Sequence, residues 1–204
     1  MATSFVGVAL LGWFVLATLL VRHAERALTA STLPAPWPTL ACAALVIPCA
    51  LVARPLAEAE ICGCACVALV AASGPDARTG YLFDAITLPT ALLVTAIALA
   101  NGAVENAAAG VTLLVGSFGA VVFFSRGRLM GLGDVKAMYA IGAAFGPLES
   151  LVAIFVACVS GTIATLASAH LARGTEVRFG PHLAAGSAFA LIAGSAIVHR
   201  VMGV

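Results

Sequence analysis

The chain has 204 residues, 62% of them hydrophobic and 9% charged, with a net charge of +1 and a mean hydropathy of +1.12. A water-soluble domain cannot hide that much apolar surface, because even large domains keep polar faces toward water. The net charge says nothing about nucleic acid, but no basic block occurs and no nucleic-acid partner is expected, and the short-period alternation of a membrane β-barrel does not occur.

Apolar stretches of about 17 residues or more recur, which is the length a helix needs to cross a bilayer. The reading is an all-α, polytopic membrane helical bundle forming a single domain over residues 1–204. Eight apolar segments are expected, at about 5–21, 37–53, 60–74, 86–103, 108–124, 136–147, 149–170 and 181–200, giving six to eight spans. The first, Phe5 to Val21, lacks the basic opening of a secretory signal, and its charges Arg22 and Arg26 follow it. It reads as a retained span with the N-terminus outside. The connection at 22–38 ends in the proline-rich "LPAPWP".

The third segment carries "CGCAC", yet Cys62 and Cys66 share a helix face while Cys64 points elsewhere, and zinc-type spacing is missing. With Cys42, Cys49 and Cys158, these read as small buried hydrophobes, and no metal or other cofactor is expected. The sixth segment, "KAMYAIGAAFG", is short for a span. It either packs inside the bundle or continues into the seventh as a broken helix. Runs such as "GVALLG", "GSFGA", "GAAFG" and "GSAFALIAG" let helices approach closely.

Charge placement orients the layout. With the N-terminus outside, Arg22, Arg26, Arg78, Arg126, Arg128, Lys136, Arg173 and Arg178 fall inside, against Arg54 and Arg200 outside. That is a strong positive-inside bias, and a count of seven segments would carry Arg173 and Arg178 to the wrong side. The same layout puts Asp76, Asp84 and Asp134 on the cytoplasmic side and Glu58, Glu60, Glu105 and Glu149 outside.

Acids at a membrane edge are costly and are functional candidates. Asp134 stands in "RLMGLGDVKAM", preceded by Gly131 and Gly133, where the backbone can bend close to another segment. It falls at or near a helix N-terminus, so a simple N-cap is the ordinary alternative. Asp76 follows Gly74-Pro75, ordinary turn chemistry. Asp84, before "AITLP", reads as a cap for the fourth segment.

The pair Asp76 and Asp134 is less ordinary, since both lie at one membrane face. Two neighbouring carboxylates cannot both ionise easily, so the pair holds a base and an acid. That combination can hydrolyse an amide with water alone. No Gly-x-Ser-x-Gly, His-Glu-x-x-His or phosphate-binding loop is present. His23, His170, His182 and His199 are scattered near segment ends and read as interfacial.

Three stretches resemble the type IV prepilin peptidases, membrane aspartic proteases of the Gly-x-Gly-Asp type, a class that includes archaeal preflagellin peptidases and, more distantly, presenilin. "DARTGYLFDAITLP" places Asp76 on the first catalytic aspartate, Arg78-Thr79 on the polar pair and Asp84 on the Asp/Asn position. Phe83 stands where proline is usual. "RLMGLGDVKAMYAIGAAFG" places Asp134 on the second catalytic aspartate and Lys136 on the family lysine. "VRFGPHLAAG" resembles the Phe-Gly-Pro element opening the last span, here Phe179-Gly180-Pro181.

The resemblance covers roughly residues 60–195. It implies Asp76 and Asp134 as catalytic residues, with Gly131, Gly133, Lys136 and Asp84 in support. It also implies prepilin or pseudopilin substrates with a short basic leader, cleaved at the cytoplasmic face of the inner membrane, and a link to pilus or secretion machinery. The 22–38 loop has none of the C-x-x-C pairs of larger members, so a peptidase-only form without N-methylation is expected. The alternatives are a proton-coupled transporter using the same aspartates as relays, or a non-catalytic assembly subunit. Transporter sites lie near the bilayer midplane, which weighs against the first.

Overall fold

The computed structural model describes residues 54–80, 82, 84–128, 130–169 and 178–203. The expected segments at 5–21 and 37–53, the 22–38 loop, Cys42 and Cys49 lie outside the described residues, as does Phe83.

The described residues form helices throughout. In chain order they are α1 (Leu56–Thr79), α2 (Asp84–Ala100), α3 (Val104–Ser125), α4 (Leu132–Ala169), α5 (Gly180–Phe189), a π-helical turn (Ala190–Gly194) and α6 (Ser195–Met202). Among the described residues, three stretches are long and apolar enough to cross a membrane: Val104–Ser125, Leu132–Ala167 and the continuous run Gly180–Met202. The outer surface agrees with that environment. Phe124 is 83% exposed, and Leu92, Phe123, Phe155, Ile163 and Leu166 also face outward. Such side chains facing out over a whole bundle match hydrocarbon rather than water.

The sequence reading ends the third segment at the Gly74-Pro75 turn. The helix instead runs through both residues to Thr79 and stops at Gly80, which is left-handed (φ 73°) and donates its N–H to the Asp76 carbonyl. Pro75 gives up its own amide donor and crowds the preceding turn without ending the helix, and the left-handed Gly80 ends it. Asp76 is therefore a helical residue and not a turn residue.

The sixth and seventh segments form one element that is broken, as one of the two sequence alternatives anticipates. Gly146 takes φ 66°, ψ −173°, and Pro147 follows. The break reverses the chain. The first limb (132–145) lies antiparallel to α3, with Gly142 against Gly110 and Gly146 against Asn106. The second limb (147–169) lies antiparallel to α5 and the π-turn. There Gly161 faces His182, Gly186 faces Ala153 and Ala157, and Gly194 faces Glu149. A methyl group on Gly110 or Gly142 would run into the other helix's backbone. These glycines fix a close approach that larger residues forbid.

α1 runs through the middle. Cys62, Cys64, Cys66, Val67, Ala68 and Leu69 are all buried in the core, alongside Met138, Ile141 and Leu183. Cys62 donates to the Ala144 carbonyl at 3.3 Å, fastening α1 to the first limb of α4. Cys62, Cys64 and Cys66 thus behave as the compact apolar residues the sequence suggests, whereas Cys158, on the outward face of α4, is exposed.

The bundle has two chemically distinct ends. At one, Arg54 precedes α1 and meets Glu149 just past the α4 break and the π-turn carbonyls. At the other lie Asp76, Asp84, Asp134, Lys136 and Gly180. With about 1.5 Å of rise per helical residue, Arg54 and Asp76 stand roughly 30 Å apart.

Candidate active site

Asp76 occupies the last turn of α1 and is only 4% exposed. A carboxylate near a helix C-terminus faces the unfavourable end of that helix's dipole. The structure compensates with a second helix. Gly180, the first residue of α5, donates its backbone N–H to Asp76 Oδ2 at 2.9 Å. Arg178, two residues earlier, adds an attractive charge.

Asp134 sits in the first turn of α4, partly buried. The sequence reading puts the helix start near Lys136, whereas it begins at Leu132. Asp134 is therefore inside the first turn and reaches back, its Oδ2 accepting the Gly131 N–H at 3.3 Å. The capping expectation holds in that reversed sense, since a first-turn acid bonding back to the preceding amide stabilises the start of a helix. Asp76 and Asp134 each lie at a helix N-terminus, Asp134 at that of its own helix and Asp76 at that of α5. Both lie at the same end of the bundle.

The glycines flanking Asp134 have separate tasks. Gly131 supplies the amide. Gly133 admits Leu82 from the α1–α2 connection, since a methyl group there would stand 3.1 Å from the Leu82 Cβ. That approach brings the segment after Asp76 against the start of α4. Lys136 and Asp84 close the same junction from outside, Nζ to Oδ1 at 2.5 Å. Asp84 is the first residue of α2, and its carboxylate holds Lys136 across from α4. The Lys136 ammonium is thus engaged by Asp84.

The signature of one known family matches residues 63–166, just over half the chain: the type IV leader peptidase family. The chain belongs to that family. No curated protein and no solved structure matches it. The leader-peptidase match takes in Asp76, Asp84, Asp134 and Lys136, and it ends before Gly180.

Family membership makes the chain a membrane-embedded peptidase acting on prepilin-type leaders. Among the described residues, no three His, Cys, Asp or Glu side chains converge as a metal-binding group. Two carboxyls that share a site favour one proton between them, one group then serving as base and the other as acid. His182 pairs with Ser160 at 3.1 Å, between α5 and the second limb of α4.

Two residues of this leader peptidase escaped the sequence reading. The Phe-Gly-Pro element is visible there, but its role is not. Pro181 falls in the first turn of a helix, where proline is preferred, and the amide of the preceding glycine is left over for an outside acceptor. That leftover donor was the available signal. Arg54 reads in sequence as an outer-loop charge, yet it is buried at 7% exposure, which no local pattern announces.

Proposed function

We propose that the chain is an aspartic endopeptidase whose catalytic groups are Asp76 and Asp134, with Asp84, Lys136, Gly131 and Gly133 shaping the junction around them. It removes the short basic leader from prepilin or pseudopilin precursors at the cytoplasmic face of the inner membrane. The observation that supports the reading is that α1 and the start of α4 set these two carboxyls at the same end of the bundle, Asp76 against the Gly180 amide and Asp134 against the Gly131 amide, with Leu82 of the α1–α2 connection packed at Gly133.

The chemistry follows from the pair. The ionised carboxylate takes a proton from a water as its oxygen attacks the scissile carbonyl carbon. The protonated carboxyl donates to the carbonyl oxygen, giving a neutral tetrahedral diol. Collapse of the diol breaks the C–N bond: the ionised carboxylate takes a hydroxyl proton as the carbonyl re-forms, and the protonated carboxyl passes its proton to the leaving amine. Protons balance and the dyad returns to its single-proton state.

The leader's boundary with its apolar helix lies at an interface, which matches acids at the end of the bundle rather than its middle. The positive-inside count supports the cytoplasmic assignment, an N-terminus outside and six to eight spans, and a single domain over 1–204 is proposed with them. Methyl transfer is not part of the proposal, because the 22–38 loop contains no cysteine. The bilayer and a pilus or secretion assembly are the surroundings proposed for the reaction. Membership of a peptidase family disfavours the proton-coupled transporter.

Co-expression with a tagged prepilin-like substrate tests this directly. An immunoblot is expected to show a shortened product that begins at the apolar helix. A full-length substrate, with the enzyme present in the membrane, contradicts it.

A further inference from the structure

We infer that Gly180 is a positioning residue for Asp76: its backbone amide fixes one carboxyl oxygen, and its missing side chain is the space that oxygen occupies. The inference rests on Asp76 acting as a catalytic carboxyl, as proposed above. It concerns a residue that lies beyond the 63–166 match.

Two independent features of the geometry meet at this point. The first is the hydrogen bond. The Gly180 N–H reaches Oδ2 at 2.9 Å in a buried setting, between residues 104 positions apart in the chain. A bond from a backbone amide to a carboxylate is among the stronger kinds, and burial strengthens it further. It selects Oδ2 as the held oxygen and leaves Oδ1 to take up the water.

The second feature is steric. A methyl group on Gly180 would stand 2.5 Å from Oδ2, 2.9 Å from Cγ and 3.0 Å from Cβ of Asp76. Ordinary van der Waals contact begins at 3.4 Å, so the carboxyl would have to withdraw by roughly 0.9 Å. Gly180 has a negative φ, as a first helical residue does, so backbone strain is not what demands a glycine there. The demand comes from Asp76.

The neighbourhood makes the Asp76 carboxyl the part best able to give way. Asp76 is on α1, whose preceding turns are buried against α4 and α5, and Gly180 is itself buried. Gly186, two turns along α5, is different. A methyl group there would strike the Ala153 carbonyl and the Ala157 amide, on the face remote from the aspartates. The two glycines therefore separate positioning from packing within one helix.

The test compares Gly180→Ala, Gly186→Ala and Asp76→Asn in the full chain, purified in detergent and assayed on a synthetic leader peptide. A 1 Å misplacement at a reacting group costs on the order of 10²-fold in rate. Gly180→Ala is expected to lower kcat by about that factor, with KM within about threefold, and the loss is expected to persist when the rate is normalised to the folded fraction. Gly186→Ala is expected to lower the midpoint while the folded fraction keeps its kcat.

A Gly180→Ala enzyme with normal kcat, or one whose loss merely tracks the folded fraction, overturns the inference. Asp76→Asn with normal cleavage instead overturns the catalytic reading beneath it. A measurement on otherwise native protein covers the case in which Gly180→Ala does not accumulate. In glycine-labelled protein, the Gly180 amide proton resonance is expected to move upfield in Asp76→Ala, and an unmoved resonance contradicts the bond.

Discussion

Arg54 and Glu149 meet at 2.5 Å at the end of the bundle remote from the aspartates. The same guanidinium donates to the carbonyls of Ala190 (2.8 Å) and Leu191 (3.0 Å) in the π-helical turn, and it lies over the Phe145 ring. One side chain thus joins the start of α1, the reversal in α4 and the irregular turn after α5. A π-turn displaces its carbonyls from the usual ladder, and Arg54 takes up two of them.

Removing one partner of a buried ion pair strands the other, at a cost of about 3–5 kcal/mol. Arg54→Ala is therefore expected to destabilise the protein by about 3 kcal/mol, read as a lowered unfolding midpoint in detergent. Replacing both partners, as Arg54→Met with Glu149→Leu, is expected to cost less than Arg54→Ala alone. A double variant no better than the single would contradict the account of this end.

The close approach of α3 and α4 at Gly110 and Gly142 gives a second expectation. A methyl group at either position collides with backbone and not with a movable side chain. Gly110→Ala and Gly142→Ala are each expected to cost about 1–3 kcal/mol, the usual penalty for overpacking. Gly116→Ala, on the same helix with open space at its Cβ, is expected to cost nothing measurable. Differential unfolding of the three variants checks the ranking.

Lys136 and Asp84 form a partly exposed ion pair, which stabilises by at most about 1 kcal/mol. If their contribution to cleavage is the shared junction, Lys136→Met, Asp84→Asn and the double variant should all lose about the same, no more than roughly fivefold in kcat/KM. Additive losses in the double variant would show that the two residues act separately.

The proposed route needs two carboxyls and a water. Leader cleavage is therefore expected to withstand metal chelators and serine-directed reagents, measured as initial rate before and after treatment. Inhibition reversed by adding back a divalent metal would contradict it.

Much of this was legible in the residues because the decisive signals were local. The apolar runs near 86–103, 108–124 and 181–200 became helices at Asp84–Ala100, Val104–Ser125 and Gly180–Met202. Asp76 and Asp134 stood out as acids bordering apolar runs, where a charge is costly. Boundaries set by long-range contacts were harder to read. The start of α4 at Leu132 lies where Leu82 from the preceding connection packs at Gly133, and α1 extends past Pro75 to Thr79, ending at Gly80. The Gly180 bond to Asp76 and the burial of Arg54 join residues more than 100 positions apart, where no periodicity or spacing rule reaches.

The most direct measurement is the cleavage rate of a prepilin leader by Asp76→Asn and Asp134→Asn, each held to wild-type abundance in the membrane. Asparagine keeps the shape of the side chain and removes its ability to exchange a proton. Both variants are expected to lose about 10⁴-fold in rate while inserting and folding normally. Cleavage at a wild-type rate by either one would contradict a two-carboxyl mechanism in this protein.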